Sequence, residues 1–355
     1  MAQTIRPYMR QPVSRNGFGF IMIRRAARMF KVGRNIGLIL LPLMMSACQT
    51  LTIDESFVFQ PGQFGDPNAV RDSQMRYENI FSEPTDIVID VWADGQKAKH
   101  YIRSNEFVTS RVTHDVLKST QAHLAITRVE RSEFSRPIVV HCGGNASDRY
   151  ESGTLYAQKI IPFADVLMFD YPGYGESSGR ADAGSLREAN RMIADYVKSD
   201  FAARRPLILW GHSLGGFVCA DMVQHFTQID GLILETTATN AQDVSDAVVP
   251  WYAKLFIRPK VAESLSAYDM VETLKGVDAP ILILGAAKDK TLPVELSRKL
   301  AEDLTGAGGD VTYIEFADGN HISVPTQTNY REVVEGFFGR LEKGVQSGVS
   351  LNAGS

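Results

Sequence analysis

The pentapeptide Gly211-His212-Ser213-Leu214-Gly215 separates the apolar run 206–210 from residues 216–223, which read as a helix. Strand, sharp turn with a glycine on each side of a serine, then helix: this is the context in which a Gly-x-Ser-x-Gly match carries chemistry. A side chain at either glycine would crowd the strained turn that lifts the serine hydroxyl into a cleft. The following helix aims its N-terminal amides at the same spot, where negative charge can be stabilised. In isolation the match would be weak, and a plain glycine-rich turn would be the better reading. The flanking strand and helix favour a nucleophilic Ser213.

The rest of the chain repeats this alternation. Short apolar runs at 138–141, 166–170, 206–210, 231–234, 281–284 and 311–316 are separated by helical stretches, the last near 329–341. Fully apolar strands joined by helices imply α/β architecture, a mostly parallel sheet covered on both faces. Residues 87–92 lead through Ala93-Asp94-Gly95 into 98–102, a hairpin pattern, and 123–130 reads as a further strand. Residues 240–275 interrupt the rhythm with a small helical insert. We therefore expect a globular domain over 86–343, preceded by a tether and approach at 48–85 and followed by a flexible Gly/Ser-rich tail at 344–355. With 355 residues, 44% of them hydrophobic, the chain can bury a large core.

The charge is uneven. Residues 1–47 carry seven arginines and Lys31 but no acid, so removing this +8 from the overall −4 leaves about −12 on the remainder. A surface that acidic argues against a nucleic-acid partner. The basic lead runs into the apolar stretch 36–45, too short to span a bilayer comfortably and suited to a signal-peptide core. Met45-Ser46-Ala47-Cys48 follows and resembles the lipobox of bacterial lipoproteins, with Met45 where leucine is usual. That resemblance implies a signal over 1–47, lipidation at Cys48 and a cell-envelope location. By the same resemblance, Gln49 after the cysteine implies the outer membrane, facing the periplasm. The other reading is an ordinary cleaved signal with an incidental cysteine. Of the remaining cysteines, Cys142 and Cys219, a disulfide would suit an oxidising compartment, but we expect two buried free thiols.

A serine hydroxyl is a poor nucleophile unless a base lies within hydrogen-bond reach and an acid orients that base. The run 281–284 ends in Gly285-Ala286-Ala287-Lys288-Asp289, and the next ends in Ala317-Asp318-Gly319-Asn320-His321. An acid after one strand and a histidine after the next reach the same sheet edge as the serine. Ser213, Asp289 and His321 are thus the expected catalytic set. Glu235, ending another strand, rivals Asp289, while Asp318 is too near His321 in sequence. Of the other histidines, His212 flanks the nucleophile as a pocket residue and His141 lies before the glycine-rich loop; His100, His114, His123 and His225 sit away from this edge. Charge developing on the substrate oxygen needs donors. The Leu214 amide supplies one, and the loop Cys142-Gly143-Gly144-Asn145-Ala146 the other, with Asn145 preferred over Ala146. A simple turn is the alternative for Gly143-Gly144. No metal-ligand cluster or phosphate-cradling loop occurs, and no cofactor or metal is expected.

The segments 139–148, Phe169-Asp170-Tyr171-Pro172-Gly173-Tyr174-Gly175-Glu176-Ser177-Ser178-Gly179, 211–216, 232–235, 274–293 and 319–321 occur in order. Together they resemble the α/β-hydrolase superfamily over roughly 86–340. The nearest branch is similar to the His-Gly-Asn-Ala serine hydrolases, which include acyl-protein thioesterases and monoacylglycerol-lipase-like enzymes. Gly143 stands where that branch has histidine. The resemblance implies an α/β-hydrolase fold with a lid at 240–275, and a serine hydrolase acting on carboxylic esters or thioesters through an acyl-enzyme. Its partners would be a small acyl ester or lipid and, through the anchor, a membrane. The lid sequence 248–257 admits either an apolar roof over an acyl-sized pocket or ordinary packing. A peptidase or acyltransferase of the same fold, and a non-catalytic binding protein on the same scaffold, are the alternatives.

Overall fold

The computed structural model describes residues 49–61, 87–93, 96–102, 110–119, 122–131, 136–200, 205–250, 252–255 and 257–352. The basic lead and Cys48 lie outside the described residues. The elements begin with β1 (Gln49–Ile53) and a helical turn α1 (Glu55–Val58), then β2 (Ile87–Ala93), β3 (Gln96–Ile102), β4 (Arg111–Lys118) and β5 (His123–Glu130). The alternating part runs β6 (Ile138–Cys142), α2 (Glu151–Ile160), β7 (Asp165–Phe169), α3 (Ala183–Asp200), β8 (Leu207–His212), α4 (Leu214–Val223) and β9 (Gly231–Glu235). The insert comprises α5 (Ala241–Val248), β10 (Ile257–Val261), α6 (Glu263–Ser266) and α7 (Met270–Leu274). β11 (Ile281–Ala286), α8 (Val294–Gly306), β12 (Val311–Phe316) and α9 (Tyr330–Asn352) complete the chain.

Eight strands form one sheet in the order β12-β11-β9-β8-β6-β7-β5-β4. The six from β12 to β7 run parallel, and β5 pairs antiparallel with both β7 and β4. Every residue of β6, β7, β8 and β9 is buried, as expected for strands covered on both faces. Successive side chains point to opposite faces, so neighbours enter different cores. Val140 and Leu209 pack with Ile193 of α3, Val218 of α4 and Leu300 of α8. Val139 and Ile208 pack with Ile160 of α2 and Phe337 of α9. β2 and β3 pair as the expected hairpin.

Three expectations change. Residues 49–61, read as a tether, contribute a strand and a helical turn. Asp54 caps that turn by accepting from the Ser56 N–H at 3.0 Å. The insert is not wholly helical, because β10 pairs in parallel with β1 from Gln49↔Ile257 to Ile53↔Val261. Both strands alternate exposed and inward residues, but each is only five residues long and gains its partner from a segment about two hundred positions away. The last helix runs to Asn352, where a loose tail was expected from 344.

Candidate active site

β8 ends at the nucleophile turn. Ser213 has φ +54° and ψ −119°, a conformation costly for a residue with a side chain. Its N–H donates to the Glu235 carbonyl at 2.9 Å, and its own carbonyl accepts from Thr237 Oγ1 at 2.9 Å, so the end of the neighbouring β9 holds the turn from both sides of the peptide. A Cβ on Gly211 would lie 2.2 Å from the Gly215 carbonyl oxygen, and one on Gly215 would lie 1.9 Å from the Cys142 carbonyl oxygen. Both glycines are required because backbone meets backbone there. Among the described residues the non-glycine positive-φ positions are Ala146, Ser213 and Thr236. They sit just beyond the ends of β6, β8 and β9, so the strain is concentrated at one sheet edge.

At that edge His321 Nε2 lies 2.9 Å from Ser213 Oγ, and His321 Nδ1 lies 2.8 Å from Asp289 Oδ2. A carboxylate only accepts, so Nδ1 carries the proton and Nε2 presents its lone pair to the serine hydroxyl. The other oxygen of Asp289, Oδ1, accepts the Thr291 N–H at 2.8 Å and the Leu292 N–H at 2.9 Å. The acid is therefore fixed at both oxygens. All three side chains belong to buried residues. The arrangement can move the serine proton to a histidine whose positive charge then faces a carboxylate.

Glu235 does not take the acid's place. Its Oε1 accepts from Tyr156 Oη at 2.9 Å, behind the turn. Burial lifts its carboxyl to about 7, against the stabilising pull of the Tyr156 hydrogen bond. Asp318 is exposed and pairs with Lys288. Asp170 binds the Arg149 guanidinium at 2.9 Å and the Glu176 N–H at 3.0 Å, a turn-holding role; burial raises its carboxyl to about 6. A Cβ on Gly175, whose φ is +50°, would collide with that carboxylate. His212 donates from Nε2 to the His321 carbonyl at 2.8 Å, while His141 stacks on the Tyr156 ring at 4.2 Å. Burial holds both histidines near 3, so they stay neutral at physiological pH. The contact of His212 with the backbone of His321 was not readable from sequence; adjacency to Ser213 was its one signal.

The loop after β6 carries the two residues expected to offer a second donor. Among the described residues nothing accepts the Leu214 or Asn145 N–H, whereas the Ala146 N–H donates to Asn145 Oδ1 at 3.1 Å. Of the two expected candidates, only Asn145 keeps its amide available. The Gly143 carbonyl accepts from Tyr171 Oη at 2.6 Å. A Cβ on Gly144 would lie 2.7 Å from His212 Nδ1, so this loop and the nucleophile turn are in direct contact. Cys142 and Cys219 are not free thiols: they form a disulfide with their Cα atoms 5.9 Å apart, joining β6 to α4. The end of β6 and the start of α4 press together closely enough to bring the two thiols within bonding reach. In the insert Val249 is buried and Tyr252 is 55% exposed, while Trp251 and Phe256 lie outside the described residues.

Sheet order, nucleophile turn and helices on both faces define the α/β-hydrolase fold, and residues 138–269 match the family model described as alpha/beta hydrolase fold. The chain is similar to lysophosphatidylserine lipase ABHD12 of Macaca fascicularis, 27% identical over 219 residues, covering 57% of this chain and 54% of that protein. The same lipase of Danio rerio is 26% identical over 243 residues, covering 61% and 62%. The chain thus spans little more than half the length of these curated relatives. Among solved structures, a Pyrococcus furiosus esterase matches with a TM-score of 0.50 at 14% identity, over 65% of this chain and 91% of that one. That likeness concerns the fold alone.

Proposed function

We propose that the protein is a serine hydrolase cleaving carboxylic esters or thioesters, with single-chain lipids as the preferred class. The carrying observation is the Ser213–His321–Asp289 relay at 2.9 and 2.8 Å. Ser213 Oγ attacks the substrate carbonyl while His321 Nε2 takes its proton. The resulting oxyanion is held by the N–H groups of Leu214 and Asn145, an interaction in which each donor contributes about 3–4 kcal/mol. The tetrahedral species collapses, and His321 returns the proton to the departing alcohol or thiol. Water then repeats the sequence on the acyl-enzyme and releases the acid. Asp289 holds the tautomer and faces the imidazolium. The lipid preference rests on the lysophosphatidylserine lipases to which the chain is similar.

The same proposal places the protein in a bacterial cell envelope, anchored through acyl chains on Cys48 and facing the periplasm from the outer membrane. The lipobox-like sequence supports this, as does the Cys142–Cys219 disulfide, since disulfides persist in oxidising compartments.

A fluorophosphonate probe is expected to label the wild-type protein and not Ser213→Ala. No labelling, or equal labelling of both, would refute the serine chemistry. Across nitrophenyl esters of rising acyl length and aminoacyl anilides, the esters should turn over faster. Faster anilide hydrolysis would make the protein a peptidase.

A further inference from the structure

The segment before the hydrolase domain reaches the reaction site itself. β1 pairs with β10 of the insert, Phe59 is buried in the main core, and Glu55 accepts the Ala183 N–H at 3.2 Å. Beyond α1 the backbone meets one side chain from both sides. Asn145 Nδ2 donates to the Val58 carbonyl at 2.6 Å, and Asn145 Oδ1 accepts the Gln60 N–H at 3.0 Å. Tyr174 Oη completes the clasp, donating to Asn145 Oδ1 at 2.8 Å and accepting from the Gln60 N–H at 3.1 Å.

Resting on the serine-hydrolase reading, we propose that residues 54–60 form a strap that positions the oxyanion loop, with the Gln60 N–H as its positioning group. The side chain of Asn145 is turned into the strap, and its Oδ1 also takes the Ala146 N–H. This occupies the neighbouring amide and leaves the Asn145 amide as the loop's donor. Ala146 at φ +56° is a strained residue, and such conformations persist only where surrounding contacts over-determine them. The strap supplies those contacts from outside the hydrolase domain. Because β1 continues into it, the lid strand and the oxyanion loop are held by one short run of backbone. A displaced donor weakens transition-state binding more than substrate binding, so the strap acts on kcat.

Two substitutions at one position separate this role from general packing. Gln60→Ala keeps the N–H and changes only the side chain; Gln60→Pro removes the N–H, and an extended Phe59 before it accommodates proline. In the full chain, Gln60→Ala should match wild type. Gln60→Pro should lower kcat on a soluble ester about 10- to 100-fold, with KM within about twofold. Affinity for an alkylboronic acid, which mimics the tetrahedral species, should fall by a similar factor, with thermal stability close to that of Gln60→Ala. Equal kcat in the two variants overturns the proposal. If Gln60→Pro does not fold, Tyr174→Phe decides: a several-fold parallel loss of kcat and boronate affinity supports the strap, and unchanged values overturn it. Fluorophosphonate labelling of wild type is scored first. Its absence would remove the hydrolase reading and the proposal together, whereas labelled protein with equal variants removes the proposal alone.

Discussion

Glu235 ends β9 fully buried, hydrogen-bonded to Tyr156 and raised to about 7 by burial. A carboxyl raised in the folded state contributes stability that is complete below its unfolded value near 4.5 and is lost as pH rises towards 7. Glu235→Gln removes this loss. Its stability relative to wild type should therefore grow between pH 5 and pH 8, by up to about 3 kcal/mol. Urea unfolding of both proteins at the two pH values measures it, and a gap that stays flat would contradict the raised carboxyl. Sequence placed both Glu235 and Asp289 at strand ends and preferred Asp289, with Glu235 as its rival. The choice lies in two backbone amides, those of Thr291 and Leu292, which seat Asp289 against His321.

The Cys142–Cys219 disulfide ties β6, which leads into the Gly143–Ala146 loop, to α4, which follows Ser213. Closing 77 residues of sequence restricts the unfolded chain by roughly 4 kcal/mol on the loop-entropy account. Cys142→Ala/Cys219→Ala should lose about that much in chemical denaturation, and wild type in a strong reductant should approach it. A variant as stable as oxidised wild type would show that the bridge contributes nothing. Spacing along the chain carries no distance between a strand end and a helix five elements later, which is why the free-thiol expectation failed. The alternating elements themselves were plain, because each buried strand of the parallel sheet is a short apolar run between helical segments. β1 and β10 were not, since their partners lie about two hundred positions away.

On the whole chain, a basic and apolar lead precedes a Cys48 that stands next to β1, the strand paired with the insert. Acyl chains add about 0.8 kcal/mol of membrane affinity per buried methylene, enough to hold the protein on a bilayer. Wild type expressed in a bacterium should fractionate with membranes and its processing should stop with globomycin, while Cys48→Ala should lose this sensitivity. Processing unaffected by either change would rule out the anchor. An anchor there would lie a few residues from the strap, so its attachment and the reaction site would share one segment. The α/β architecture and the residues of the candidate site were legible in the amino-acid order, because burial on both sheet faces and the tight nucleophile turn each demand particular residue types at adjacent positions. The seating of Asp289, the disulfide, the pairing of β1 with the insert and the clasp on Asn145 emerged only once the chain was folded. The disulfide, the strand pairing and the clasp are contacts between distant segments, and the Asp289–His321 contact joins two loops that only the folded sheet brings side by side, so packing in three dimensions decided them.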